Sequence, residues 1–155
     1  MRFFLDINPP TATAQEKSVR IVGGRPIFYD PAPLKKAKVL LTAHLGKHRP
    51  IVPMEGALEL RTTWLFPVGK SHKSGEWRTT RPDTDNLQKM LKDCMTRCGY
   101  WKDDAQVARE IVEKQWAAAP GIHIEIKQLG IQCASNRNRA GYSDPTARDA
   151  LRHCK

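Results

Sequence analysis

The sequence predicts an α+β fold, a single compact domain with a small mixed or antiparallel sheet and two main helices. Three observations predict it. Residues 57–66, ALELRTTWLF, alternate Leu58, Leu60, Thr62, Trp64 and Phe66 with Glu59, Arg61, Thr63 and Leu65, the two-residue period of a half-buried strand. Residues 84–98 place Leu87, Met90, Leu91, Cys94, Met95 and Cys98 at i, i+3, i+4 and i+7 spacings, the apolar stripe of a helix lying on a core. The chain of 155 residues is long enough for one real core and too short for two comfortable ones.

In chain order, MRFFLDIN opens with one Arg and a short apolar patch, and PPTATAQEK (9–17) reads as loop. SVRIV (18–22) and RPIFY (25–29) read as short strands around Gly23-Gly24, a hairpin turn. Pro33 opens a helical pattern, LKKAKVLLTAHLGKH, with Leu34, Ala37, Leu41 and Leu45 on one face and Lys35, Lys36, Lys38 and Lys47 elsewhere. That basic face serves equally as a solvated surface or as one laid against phosphates. After the 57–66 strand, PVGKSHKSGEWRTTRP (67–82) is too polar and too rich in Gly, Ser and Lys for a regular element. It reads as a long basic loop of the kind that carries function, with Trp77 pinning it to the body or stacking on a base. The 84–98 helix takes Asp83 or Thr84 as its N-cap and is stopped by Gly99. YWKDD (100–104) reads as a turn, and AQVAREIVEKQW (105–116) and GIHIEIKQL (121–129) as strands joined by the Pro120-Gly121 turn. Residues 1–130 form the folded domain. Residues 131–155 read as a polar, flexible tail with one helical turn after Pro145.

Composition narrows the function classes. Hydrophobic content of 40% and charged content of 27% are those of an ordinary soluble chain. No apolar run approaches the roughly 18 residues of a membrane span, and the N-terminus lacks the apolar run of a signal peptide. The reading is a cytoplasmic protein without a membrane partner. Cys94, Cys98, Cys133 and Cys154 are then thiols that behave as small hydrophobes. Zinc is disfavoured, because the usual ligand spacings are missing.

The formal net charge is +10, unevenly spread. Residues 1–82 hold 14 Lys/Arg against 6 Asp/Glu, whereas residues 83–130 hold 7 against 8. Such a field favours a polyanion, and nucleic acid is the commonest. Yet Asp83, Asp85, Asp93, Asp103 and Asp104 crowd into 81–107, five of the sixteen acidic residues. If these groups meet, their repulsion demands a cation. Ligation by carboxylates alone suits Mg²⁺ or Mn²⁺, which polarise phosphoryl oxygens and activate water. A DxD pair is equally what N-capping and helix-dipole pairing produce.

A family pattern adds to this reading. DTDNLQK (83–89) followed by GYWKDDAQV (99–107) resembles the core motifs of the RusA-type Holliday junction resolvases, at that family's separation and across an amphipathic helix. The resemblance extends more loosely from the basic N-terminal half to about Gly130, leaving TATAQEK and the tail without a counterpart. It implies a homodimeric, Mg²⁺-dependent endodeoxyribonuclease, with Mn²⁺ as a substitute, that nicks four-way DNA junctions symmetrically in recombination and repair. It puts the catalytic and metal-binding carboxylates on Asp83, Asp85 and Asp104 and a functional lysine on Lys89. Lys89 lies one helical turn after Asp85, which also suits an i, i+4 surface pair. Asn86 would orient a carboxylate or a metal-bound water, or stabilise the turn. Lys70, Lys73, Arg78 and Arg81, just before Asp83, are the candidate DNA contacts. The alternatives are a nuclease for flaps or forks, and a DNA-binding protein without catalysis.

Overall fold

A computed structural model of the chain describes residues 1–13 and 18–130. The 131–155 tail, with Cys133 and Cys154, lies outside the described residues, as does the 14–17 part of the expected loop. The architecture is α+β, as the periodicities predict. Strands β1 (Arg2–Leu5), β4 (Leu58–Pro67), β5 (Val107–Ala117) and β6 (Gly121–Gln128) form one mixed sheet in the order β1-β6-β4-β5. Strands β2 (Ser18–Val22) and β3 (Arg25–Tyr29) form a separate antiparallel hairpin. Helices α1 (Ala32–Gly46) and α2 (Thr84–Arg97) complete the domain.

Strand β4 is the axis of the sheet. It pairs parallel with β5 and antiparallel with β6, so every second residue meets the core. Leu58, Leu60, Thr62, Trp64 and Phe66 are all buried, against Leu87, Met90, Leu91, Cys94 and Met95 of α2 and Leu34, Ala37, Leu41 and Leu45 of α1. The two helices touch where the Cys94 and Cys98 thiols reach the Lys38 and Thr42 carbonyls. Burial pushes both thiols above the usual cysteine range, which suits packing and not reactivity. Helix α2 ends at Gly99, whose φ of 79° is the left-handed conformation that glycine adopts without strain.

Two features of the sheet lie beyond the sequence reading. MRFFLDIN carries a strand: Arg2–Leu5 pairs with β6 in the register Arg2↔Glu125 to Leu5↔Ile122. Four residues are too few to show a period, and only Leu5 among them is buried. Strands β5 and β6 follow each other through the Pro120-Gly121 turn but do not pair, because β4 lies between them. The glycine there also serves packing, since a Cβ on Gly121 would fall 2.0 Å from Cζ of Phe4.

The parallel β4–α2–β5 unit positions the carboxylate motifs. A crossover that returns to a parallel neighbour makes the helix run antiparallel to both strands. Two rungs show it: Lys92 of α2 pairs with Glu110 near the start of β5, and Lys114 near its end reaches the residues just before α2.

Candidate active site

Asp83 stands at the N-cap position of α2 with extended backbone, φ −75° and ψ 150°, yet its side chain makes no capping bond. Asp83 and Asp85 are both exposed, so two unengaged carboxylates sit at a helix start, where the backbone dipole favours negative charge. The chain before them is held from below. Lys114 Nζ donates to the Thr80 and Pro82 carbonyls, both at 2.8 Å. Burial lowers the Lys114 pKa, against which the neighbouring Asp83 charge raises it. The approach includes a cis Arg81–Pro82 peptide. Lys89 is exposed one turn along the helix from Asp85, while Asn86 is buried. Gln88 turns inward, its Oε1 accepting from Thr62 Oγ1 at 3.0 Å.

The 67–82 loop is laid along the free edge of β5. Gly75 N donates to Trp116 O, Trp116 N to Glu76 O, and Arg78 N to Lys114 O. Arg78 lies over the rings of Phe66 at 4.0 Å and Trp116 at 4.4 Å and donates to Arg81 O, and burial lowers its pKa. Its guanidinium is therefore engaged in pinning the loop. His72 adds to this by stacking on Trp116 at 4.5 Å. The Trp77 indole, expected to pin, is 62% exposed, with its backbone bridged to Gln115. Lys70, Lys73 and Arg81 are exposed.

Asp103 and Asp104 behave differently from each other. Asp103 Oδ1 accepts from Ala105 N at 2.8 Å, and Gln106 Oε1 accepts from Asp103 N, a reciprocal capping box on the 3₁₀ turn Asp104–Gln106. Gln106 Nε2 donates to the Met54 and Gly56 carbonyls, fixing this turn to the body. Asp104 makes no such cap. It lines an open hollow with Asp93, Thr96, Arg97, Lys102 and Asp103, at the C-terminal end of α2.

One chain therefore brings Asp83 and Asp85 together at one end of α2 and places Asp104 at the other. Fourteen residues of helix at about 1.5 Å each separate the two ends by roughly 20 Å. Among the described residues no three His, Cys, Asp or Glu side chains stand close enough to hold a metal ion. The donors are of the hard-oxygen type that Mg²⁺ takes, but a single chain does not assemble them. Two further residues shape the candidate site: Lys114, which grips main-chain carbonyls far off in sequence and carried no motif, and Gln106, whose D-x-x-Q spacing from Asp103 was a legible cap signal.

Comparison with known proteins supplies the context for these motifs. Residues 8–127 match the family described as Endodeoxyribonuclease RusA. The match runs through 11–17 and stops three residues short of Gly130. The chain is 30% identical over 132 residues to the crossover junction endodeoxyribonuclease of Lactococcus phage r1t, covering 84% of this chain and 94% of that protein. It is 28% identical over 120 residues to the uncharacterized protein YqaN of Bacillus subtilis, covering 70% and 84%. A shorter stretch of 51 residues is 41% identical to the crossover junction endodeoxyribonuclease RusA of Escherichia coli K12, covering 32% and 42%. Among the described residues, no helix is long and apolar enough to cross a membrane.

Proposed function

The chain belongs to the RusA family of endodeoxyribonucleases, and from that premise we propose that it resolves four-way DNA junctions by paired, symmetric nicks. The observation that carries this reading is local. In a basic chain, Asp83 stands at a helix start without capping it, while Asp103 does the capping beside an unengaged Asp104. Capping thus accounts for Asp103 and leaves Asp83, Asp85 and Asp104 for chemistry. Their oxygen donors suit Mg²⁺, with Mn²⁺ as a substitute. Lys89, exposed one turn after Asp85 on α2, holds the scissile phosphate in this reading. Lys70, Lys73 and Arg81 hold the DNA backbone beside it, and Arg78 keeps their loop in place.

The reading includes a homodimer, since two strands must be cut and a two-fold axis presents two identical sites. The β2–β3 hairpin supports it. A two-stranded hairpin is marginal alone in water, and this one exposes Val19, Ile21, Val22, Ile27 and Phe28. The setting that fits is recombination and repair of DNA in the cytoplasm.

The test is a labelled synthetic four-way junction incubated with and without Mg²⁺, beside a flap and a fork of matched sequence. Two symmetric nicks in the junction, dependent on the ion, are expected. Preferential cutting of the flap or fork would replace the substrate, and binding without scission under any divalent ion would make the protein a non-catalytic DNA binder.

A further inference from the structure

We propose that Trp77 stacks on a base exposed at the branch point of the DNA and so makes binding selective for branched over linear duplex. This rests on the nuclease reading and adds what distinguishes its substrate. The chain has four tryptophans, and the fold accounts for three of them. Trp64 is fully buried, with its Nε1 donating to Thr62 Oγ1 at 3.2 Å. Trp101 is buried, with its Nε1 donating to Thr96 Oγ1 at 2.7 Å. Trp116 packs against the His72 ring and the Arg78 guanidinium. The Trp77 indole is 62% exposed, and among the described residues it stacks on no other ring.

A single exposed ring is ordinary on a protein surface, but the mounting of this one is not. On either side of Trp77 the backbone is tied to the edge of β5: Trp116 N donates to Glu76 O at 2.9 Å and Arg78 N to Lys114 O at 3.0 Å. Successive side chains of such an extended segment point to opposite sides. Arg78 turns in over Phe66 and Trp116, which leaves Trp77 turned out into solvent. A ring held by a fixed backbone loses little freedom when it binds, so its contact is kept as affinity. The surroundings select a nucleotide as the partner. From residue 70 to residue 81 Trp77 is the sole large apolar side chain, set between exposed Lys70, Lys73 and Arg81. Cations that hold phosphates around a flat ring that takes a base are what a nucleic-acid strand requires. Linear duplex offers no free base face along its length. The pairs that close the arms at a branch point do, once the arms splay apart. The ring also stands beside the carboxylates: Trp77 bridges to Gln115, while the adjacent Lys114 holds the Pro82 carbonyl just before Asp83. A base caught there places the branch point next to the cutting site.

The test compares W77A, W77F and the wild type on a four-way junction, a linear duplex and a single strand of matched sequence, in EDTA so that nothing is cut. W77A should lose about tenfold in junction affinity while its affinity for linear duplex is unchanged. W77F, which keeps a ring, should recover most of the loss. Thermal unfolding should not move in either variant, since the side chain is exposed. Fluorescence reads the contact itself. With Trp64 and Trp101 buried, Trp77 is the indole that DNA reaches most freely, so the junction should quench the wild type and leave W77F nearly unquenched. A 2-aminopurine placed at the branch point should be quenched by the wild type and not by W77A. Equal losses on junction and linear duplex would overturn the proposal, because Trp77 would then only shape the loop. Quenching by the single strand without quenching by the junction would overturn it as well. A wild-type protein that binds the junction but does not cut it in Mg²⁺ would fail the nuclease reading, while the affinity ratio and the quenching still decide the role of Trp77.

Discussion

Lys114 is the residue on which the Asp83 end of the site depends and that no motif announces. Its ammonium joins the Thr80 and Pro82 carbonyls beneath the two carboxylates, so its removal leaves both carbonyls without their donor and frees the approach to Asp83. Loss of a group that orients a ligand in this way costs about 10–100-fold in metal affinity or activity. K114M should therefore slow junction cutting by about that factor while the junction Kd stays unchanged, and K114R should recover part of the rate. A K114M enzyme with normal turnover would show that Lys114 only packs. The Asp103-Asp104 pair separates in the opposite way. D103A removes a cap and should lower stability by about 1 kcal/mol, read in thermal unfolding, while cutting continues. D104N should abolish cutting with unfolding unchanged. The sequence shows these aspartates as equals by proximity. Only Gln106, three residues after Asp103, distinguishes them, through the reciprocal cap.

The elements divide into those the sequence makes legible and those it does not. Helices α1 and α2 were readable because Leu34, Ala37, Leu41 and Leu45, and Leu87 to Met95, repeat at the helical period and are buried. Strand β4 was readable because it is central, and its alternation records one face against the helices. Strand β1 was not, since a four-residue edge shows no period. Nor was the order of the sheet: strand patterns report which face is buried and not which neighbour is paired. That order decides where Asp104 falls, so the split of the carboxylates lay beyond the sequence although each carboxylate was visible in it. The β2–β3 hairpin was readable from Gly23-Gly24, but its exposure was not. Ile21 is 76% and Phe28 68% exposed in a sheet that is not hydrogen-bonded to the main one. I21S/F28S should shift the protein from dimer to monomer in sedimentation velocity, with the domain's unfolding midpoint little changed. A dimer that persists at the wild-type concentration dependence would remove the hairpin from the interface.

At the scale of the whole molecule, the charge pattern and the fold bear on the same surface. Residues 83–130 hold 7 Lys/Arg against 8 Asp/Glu, so the net charge of +10 comes from the flanks; binding should come from those flanks and cutting from the carboxylates they surround. The pinned 67–82 loop carries that field to the Asp83 end of α2. Its exposed cations are Lys70, Lys73 and Arg81, whereas Arg78 is held on Phe66 and Trp116. Each phosphate contact releases counterions and contributes a slope of about −0.9 to log K against log salt. K70A/K73A/R81A should therefore flatten the junction-binding slope by up to about 3 per subunit engaged. It should weaken binding at low salt far more than at high salt, and leave thermal stability unchanged because all three side chains are exposed. R78A should behave differently, losing stability as the loop detaches from the edge of β5 and losing cutting with it. Fluorescence anisotropy of a labelled junction across a salt series separates the two. An unchanged slope in the triple variant would move the DNA surface to the exposed Lys35 and Lys36 of α1, where the same series with those lysines replaced should then show the loss.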